Sequence, residues 1–235
     1  MLPITSVYPC RAEEARASSR RPAQPWMAIV PQKSLSRAKS RLDLPDVARW
    51  RVARAMLVDT VFALGQVKGL DRVIIAWEDP DDVSWMPVMP RVVHHVVPGS
   101  DLNGAISTVE EQVAAEVPQS GRLVVPGDLP ACSSVQMDEL VAQVAQVARS
   151  FLRDAHGAGT TVLAARDNTL LSPQYGRSSA RQHLSTGAHP LDAARFPSVT
   201  RDVDTMTDLY AALRLGVGRA TRTVTRDLGL SLPPG

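Results

Sequence analysis

Short apolar runs at 26–30, 73–77, 92–97, 123–125 and 161–165 alternate with stretches whose apolar residues recur every three or four positions. Runs of this length, bounded by turn formers, suit strands buried on both faces, whereas the intervening period suits amphipathic helices. Strands alternating with helices dictate βαβ units and therefore a mostly parallel twisted sheet with helices on its faces. In such sheets ligands bind beyond the carboxyl ends of the strands. The residues just past each apolar run are thus the first place to look for chemistry.

Across 47–64, Trp50, Ala53, Leu57, Val61 and Leu64 form one stripe. Leu102, Ile106, Val109 and Val113 mark a second helix, and 137–148 a third. Residues 199–203 read as the last strand, followed by a capping-box spelling, Thr205-x-x-Asp208. The segment 167–196 breaks this rhythm for about thirty positions, and structureless loops of that length tend to be functional. A single domain spanning 26–220 is expected. Residues 1–25, rich in Arg, Ala, Ser and Pro, lack the apolar period needed to offset ordering entropy and are expected to be a disordered tail, or a basic arm that binds something. Residues 221–235 are expected to be a second tail.

Net charge is +2, from 26 basic and 24 acidic residues, so no global field drives non-specific nucleic-acid binding. Cys10 and Cys132 stand far apart without a Cys-x-x-Cys spacing, which argues against zinc and against a disulfide framework and fits a reducing cytoplasm. No run approaches the ~18 apolar residues of a membrane helix, and no secretory signal is evident. A soluble cytoplasmic protein with neither nucleic-acid nor membrane partners is expected.

Three constellations carry chemistry. Residues 33–41 hold four cations and no anion directly after the first strand. Lys33, Lys39 and Arg41 there suit a triphosphate; a solvated basic loop is the alternative, and the glycine pattern of a Walker A loop is absent. Asp128 follows the 123–125 run, and Asp202 and Asp204 stand at the end of the 199–203 run, where strand alternation aims both at one face. Carboxylates held together repel unless a divalent cation intervenes, and Mg²⁺ is held by one or two carboxylates plus substrate phosphates; turns or helix caps are the plainer reading. The third is 157–161 with 175–183, where glycines, hydroxyls, Arg181 and His183 could seat a small phosphorylated acid or form only a flexible loop. His94 and His95 read as structural. Asn103 is either a cap or a nucleotide contact.

In order, Pro31-x-Lys33-x5-Ala38-Lys39-Ser40-Arg41-Leu42, Leu102-Asn103-x-Ala105-Ile106, Gly127-Asp128-Leu129-Pro130-Ala131, Gly159-Thr160-x-Val162-Leu163, Tyr175-Gly176-x-x-Ser179-x3-His183 and Asp202-Val203-Asp204-Thr205-x-x-Asp208-Leu209 resemble the 2-phospho-L-lactate guanylyltransferases of coenzyme F420 biosynthesis, whose bacterial members use phosphoenolpyruvate. The resemblance covers 26 to about 220. It implies a three-layer α/β sandwich of the nucleotide-diphospho-sugar transferase (Rossmann-like) type. It further implies that GTP and a phosphorylated three-carbon acid (phosphoenolpyruvate, 2-phospho-L-lactate or 3-phosphoglycerate) combine with loss of pyrophosphate. By that likeness Asp128, Asp202 and Asp204 match the Mg²⁺ aspartates, and Lys33, Lys39 and Arg41 fall in the GTP phosphate loop. Thr160, Gly176 and Ser179 match positions that hold the acid. Tyr175 stands where Phe is usual and Gln32 where Val is common. A reactive anhydride product makes hand-off to the next enzyme an expectation. Rivals are a sugar-phosphate or molybdenum-cofactor nucleotidyltransferase of the same fold, whose opening Gly-Gly-x-Ser-x-Arg-Met loop is absent, and a non-catalytic nucleotide-binding module.

Overall fold

The computed structural model describes residues 24–35, 39–167 and 169–230. The expected tail at 1–25 lies outside these residues up to position 23. Seven strands form one sheet in the order β3-β2-β1-β4-β6-β5-β7. They are β1 (Trp26–Gln32), β2 (Leu70–Trp77), β3 (Val92–Val96), β4 (Gly121–Val124), β5 (Arg149–Arg153), β6 (Thr160–Ala165) and β7 (His189–Pro190). The helices are α1 (Asp46–Gly65), α2 (Leu102–Glu116), α3 (Ser134–Val144), α4 (Ser179–Ser185), α5 (Met206–Leu215) and α6 (Arg219–Asp227).

β1 pairs in parallel with both β2 and β4, Ile29 lying opposite Ile74 on one side and Val124 on the other. Only β6 runs antiparallel to its neighbours β4 and β5. Alternation along β1 divides the core: Trp26, Ala28 and Val30 pack with Leu57, Val61 and Leu64 of α1 and Met137 and Leu140 of α3. Met27 and Ile29 face Ile106, Val109 and Val113 of α2 and Ala180 of α4. The result is the expected three-layer α/β sandwich, each fully buried Leu or Val contributing about 1.5–3 kcal/mol. No described helix is long and apolar enough to cross a membrane.

Five expectations change, four of them within the sheet, its helices and its loops and one at the C-terminal boundary. Trp50 does not join the α1 stripe; it is 37% exposed and stacks with the Arg54 guanidinium, 4.2 Å above its ring, which also lies 4.0 Å from Trp85. β5 was not foreseen, because Phe151 and Leu152 are its only apolar residues. Residues 199–203 form no strand: the N–H groups of Val199 and Thr200 both donate to the Phe196 carbonyl, so this stretch is a turn whose valines are buried without a ladder. The segment 167–196 contains α4, β7 and a 3₁₀ turn, Ala193–Arg195.

The boundary expected near 220 runs through α6. This helix has few apolar residues, and its N-terminus docks on α1 through Asp59, whose carboxylate accepts the N–H groups of Ala220 (3.0 Å) and Thr221 (2.7 Å). That is a cap donated from 160 residues away, which satisfies orphan helix donors that a local sequence window would leave unexplained.

Candidate active site

In the order 3-2-1-4 the chain leaves β1 toward β2 and later returns to β1's other edge, so β1 and β4 flank a topological switch point. The loop after β1 is held from beneath by the acidic run 78–82. Ser34 N–H donates to Glu78 (3.0 Å), Ser34 Oγ to Asp79 (3.2 Å) and Leu35 N–H to Asp82 (3.0 Å). Lys39 then takes a left-handed φ of 57°, and a 2.9 Å bond from Leu42 N–H to its carbonyl closes a turn. This geometry carries the ammonium inward.

The loop after β4 rests on α1. Thr60 Oγ1 accepts Leu129 N–H at 3.1 Å and lies 3.3 Å from the Gly127 carbonyl. A Cβ on Gly127 would stand 2.5 Å from Leu57 Cδ1, so any side chain here would have to push aside a methyl of the buried core. Val203 N–H donates to the Asp128 carbonyl at 3.1 Å, which ties the two aspartate-bearing loops together. Behind Asp204, the capping box is formed as expected, Asp208 accepting Thr205 N–H (2.9 Å) and Thr205 Oγ1 (2.7 Å). The other Asp208 oxygen pairs with His156 Nε2 at 2.9 Å.

Lys33, Lys39, Asp128, Asp202, Asp204 and Thr160 thus line one cleft of about 600 Å³, a volume suited to a small-molecule ligand. Lys39 Nζ bonds to Asp128 and, at 2.9 Å, to Asp204. Burial alone would lower its pKa, but the two carboxylates outweigh this and raise it, so it stays charged. Arg41 stands at the rim, 77% exposed at the side chain and 3.9 Å from Asp204. Asp202 is pushed up to about 7, first by burial and then by Asp128, Asp154 and Asp204, with Lys39 opposing.

The three aspartates converge, but not as the expected single ligand set. Among the described residues no group of three His, Cys, Asp or Glu side chains is disposed to hold one metal ion. The reason is electrostatic: the Lys39 ammonium already occupies the space between Asp128 and Asp204 and relieves their repulsion. The donors nevertheless suit a divalent cation. Buried Oδ1 atoms of Asp128 and Asp202 accept no hydrogen bond, as does that of Asp154, and the repulsion that raises Asp202 is what such a cation relieves.

On the opposite wall, Thr160 at the start of β6 lies beside the end of β4 because the two strands run antiparallel. Ser179 sits behind it, Oγ to Oγ1 at 3.2 Å, and Gly176 turns at φ 139° on an exposed bend. Two assignments need correction. His183 is fully buried and supplies no positive charge, burial holding its pKa at about 4; it touches Thr160, not the cleft. Asn103 clasps the Tyr175 main chain, donating to its carbonyl (3.0 Å) and accepting its N–H (2.8 Å), and does not line the cleft. Arg181 points to solvent. His94 is structural as expected, accepting Trp77 Nε1–H at 2.9 Å.

Sequence reasoning missed Asp154, which follows β5, and the acidic anchor 78–82. The anchor had a visible signal, four acids in five residues at a strand end; Asp154 had none, because β5 was itself unseen.

The family described as "Guanylyl transferase CofC like" matches residues 26–235. The chain belongs to this family. Its CofC-like relatives include the phosphoenolpyruvate guanylyltransferase of Streptomyces scabiei, 38% identical over 86% of this chain and 97% of that one. The protein of the same name from Mycobacterium leprae is 36% identical over 85% and 94%. A CofC-like guanylyltransferase is a nucleotidyltransferase, which fits a cleft at the switch point of this sheet. Solved structures share the fold: a putative nucleotide-diphospho-sugar transferase from Desulfovibrio desulfuricans (12% identity, 89% of this chain, 100% of that chain, TM-score 0.62), and Rv0371c from Mycobacterium tuberculosis in complex with manganese (19%, 82%, 100%, TM-score 0.52).

Proposed function

We propose that this cleft joins GMP from GTP to phosphoenolpyruvate, with release of pyrophosphate, as a cytoplasmic step of coenzyme F420 biosynthesis. One observation carries the reading: Lys39 is held between Asp128 and Asp204 in the same cleft whose far wall presents Thr160. The relatives' shared name, phosphoenolpyruvate guanylyltransferase, supports the choice of acid and nucleotide.

The phosphate of the acid is ionised at neutral pH and needs no side chain to activate it. Its oxygen forms a bond to the α-phosphorus of GTP as the bond from that phosphorus to the bridging oxygen breaks, and pyrophosphate leaves with the electron pair. Catalysis of such a step is placement plus charge stabilisation. Thr160, with Ser179 behind it, and Gly176 hold the acid; Lys33, Lys39 and Arg41 stabilise charge gathering on pyrophosphate. One or two carboxylates drawn from Asp128, Asp202 and Asp204, together with oxygens of the triphosphate, would hold Mg²⁺, which when bound supplies charge neutralisation and a template for the phosphates. The manganese bound by Rv0371c agrees with a divalent ion of this kind. The anhydride product suits direct hand-off to the enzyme that consumes it.

The test is purified protein with Mg²⁺, GTP or ATP, and each of phosphoenolpyruvate, 2-phospho-L-lactate and 3-phosphoglycerate, scored by pyrophosphate release and product mass. The expected result is a guanylylated phosphoenolpyruvate. Turnover with a sugar phosphate instead, or none with any acid, overturns the reading.

A further inference from the structure

The wall that carries Thr160 contains a hydrogen-bond chain whose direction is set by His183. The Nε2 of this buried ring lies 2.9 Å from the N–H of Gln174, a group that can only donate. Nε2 must therefore be the bare, accepting nitrogen, and the ring proton resides on Nδ1. Nδ1 in turn stands 2.9 Å from Thr160 Oγ1, so the imidazole donates to the hydroxyl. Phe151 (5.9 Å, tilted) and Tyr175 (5.3 Å, edge-on) box the ring, and burial keeps it neutral by holding its pKa at about 4. With both nitrogens committed, the ring has no second orientation that satisfies Gln174.

Thr160 and Ser179 hydroxyls are 3.2 Å apart. Ser179 Oγ is the donor of this bond, so Thr160 Oγ1 accepts from both Ser179 and His183 and both of its lone pairs are filled. The hydrogen left over is therefore the one on Thr160 itself. Thr160 lines the cleft.

We propose that His183 is a positioning residue that polarises the Thr160–Ser179 pair into a donor aimed at the cleft, so that this wall selects a ligand group that only accepts hydrogen bonds, an ionised carboxylate or phosphate oxygen. The inference rests on the proposed reading for the identity of that ligand, the phosphorylated acid, though not for the direction of the chain. An apolar or donating group at this position would leave the last hydroxyl hydrogen unpaired, which is the stronger form of discrimination.

Two measurements test it. The nitrogen chemical shifts of His183 in ¹⁵N-histidine-labelled protein report the tautomer without any substrate: a protonated Nδ1 and bare Nε2 are expected, and the reverse pattern overturns the proposal. Kinetics of His183→Leu should then show KM for phosphoenolpyruvate raised about ten- to a hundred-fold, the range of a lost bond to a charged group, with KM for GTP unchanged. His183→Asn, which keeps a donor near Nδ1, should recover much of that loss. If His183→Leu does not fold, Thr160→Val and the His183→Asn/Thr160→Val pair decide. The pair must be no worse than Thr160→Val alone, because His183 acts through Thr160. An unchanged KM for the acid, or equal rises for both substrates, overturns the proposal. Should wild-type protein prove inactive with GTP and phosphoenolpyruvate, the functional reading fails separately, and titration with pyruvate and with inorganic phosphate still tests the wall. Weakening of pyruvate by His183→Leu identifies a carboxylate subsite, weakening of phosphate a phosphate subsite, and weakening of neither overturns the inference.

Discussion

The Val203 N–H donates to the Asp128 carbonyl at 3.1 Å, linking two loops 75 positions apart in the chain. This main-chain bond sets the spacing of the carboxylates on either side of it, so side-chain changes there should alter charge without moving the backbone. Asp128→Asn and Asp204→Asn are expected to lower kcat by about a hundred-fold or more, the scale of removing one group that stabilises developing charge, in a protein that still folds cooperatively though at a lower melting temperature, because Lys39 loses one of its two partners. Steady-state pyrophosphate release beside a thermal melt checks this. Near-normal turnover at saturating Mg²⁺ would defeat the assignment of these carboxylates.

Asp202 predicts a pH-dependent affinity for divalent cations. Its folded value, about 7, is raised above the usual carboxylate range, so the protonated form contributes stability that is complete at low pH and lost as pH rises through 7. A cation must displace that proton. Mg²⁺ or Mn²⁺ should therefore raise the melting temperature of the substrate-free protein more at pH 8 than at pH 6. Asp202→Asn should flatten the difference.

His183 predicts an acid limb of opposite origin. Its folded value of about 4 lies below the ordinary 6.5, so between those limits the unfolded chain takes up a proton that the folded protein refuses. Stability falls as pH drops through this window, by about 3 kcal/mol in all. A folded His183→Asn variant should lose less stability than wild type between pH 6.5 and 4 in urea titrations, and a parallel decline would remove His183 as the cause.

Asp59→Ala should detach α6. Two N–H groups at the start of that helix lose their acceptor, one of them fully buried, which costs about 1–3 kcal/mol. Limited proteolysis is expected to cut within 219–230 well before it cuts elsewhere, and uniform cleavage kinetics would count against the docking role.

Asn103→Ala releases the Tyr175 main chain and so loosens the segment leading to Gly176 and Ser179. The expected result is a higher KM for the acid with little change for GTP. A change confined to GTP would return Asn103 to the nucleotide side.

The alternating apolar runs made the sandwich legible, because burial on both faces of β1, β2 and β4 writes itself as continuous hydrophobic sequence. That Asp128 and Thr160 lie at one cleft was legible as well, since one follows and the other precedes such a run, whereas Asp202 and Asp204 reach the same cleft from a turn where a strand was expected. What stayed hidden depended on distant partners. α6 owes its place to Asp59, β5 has two apolar residues, and Val199 and Val203 are buried without strand pairing. The position of Lys39 between two carboxylates was also invisible, as a string of residues shows that a cation is near in sequence but not which acids it will meet. His183 illustrates the remaining limit: its type suggested charge, and only its enclosure between Phe151 and Tyr175 revealed a neutral ring.

The antiparallel run of β6 has a consequence for how this scaffold diversifies. It brings the β5–β6 hairpin up to the edge where β1 and β4 end, so on the proposed reading the two reactants would be received by different halves of the architecture. Changes in the 154–160 tip and in α4 would then retune the choice of acid while the loops after β1 and β4 remain as they are, letting a single nucleotide-handling half serve several small acceptors.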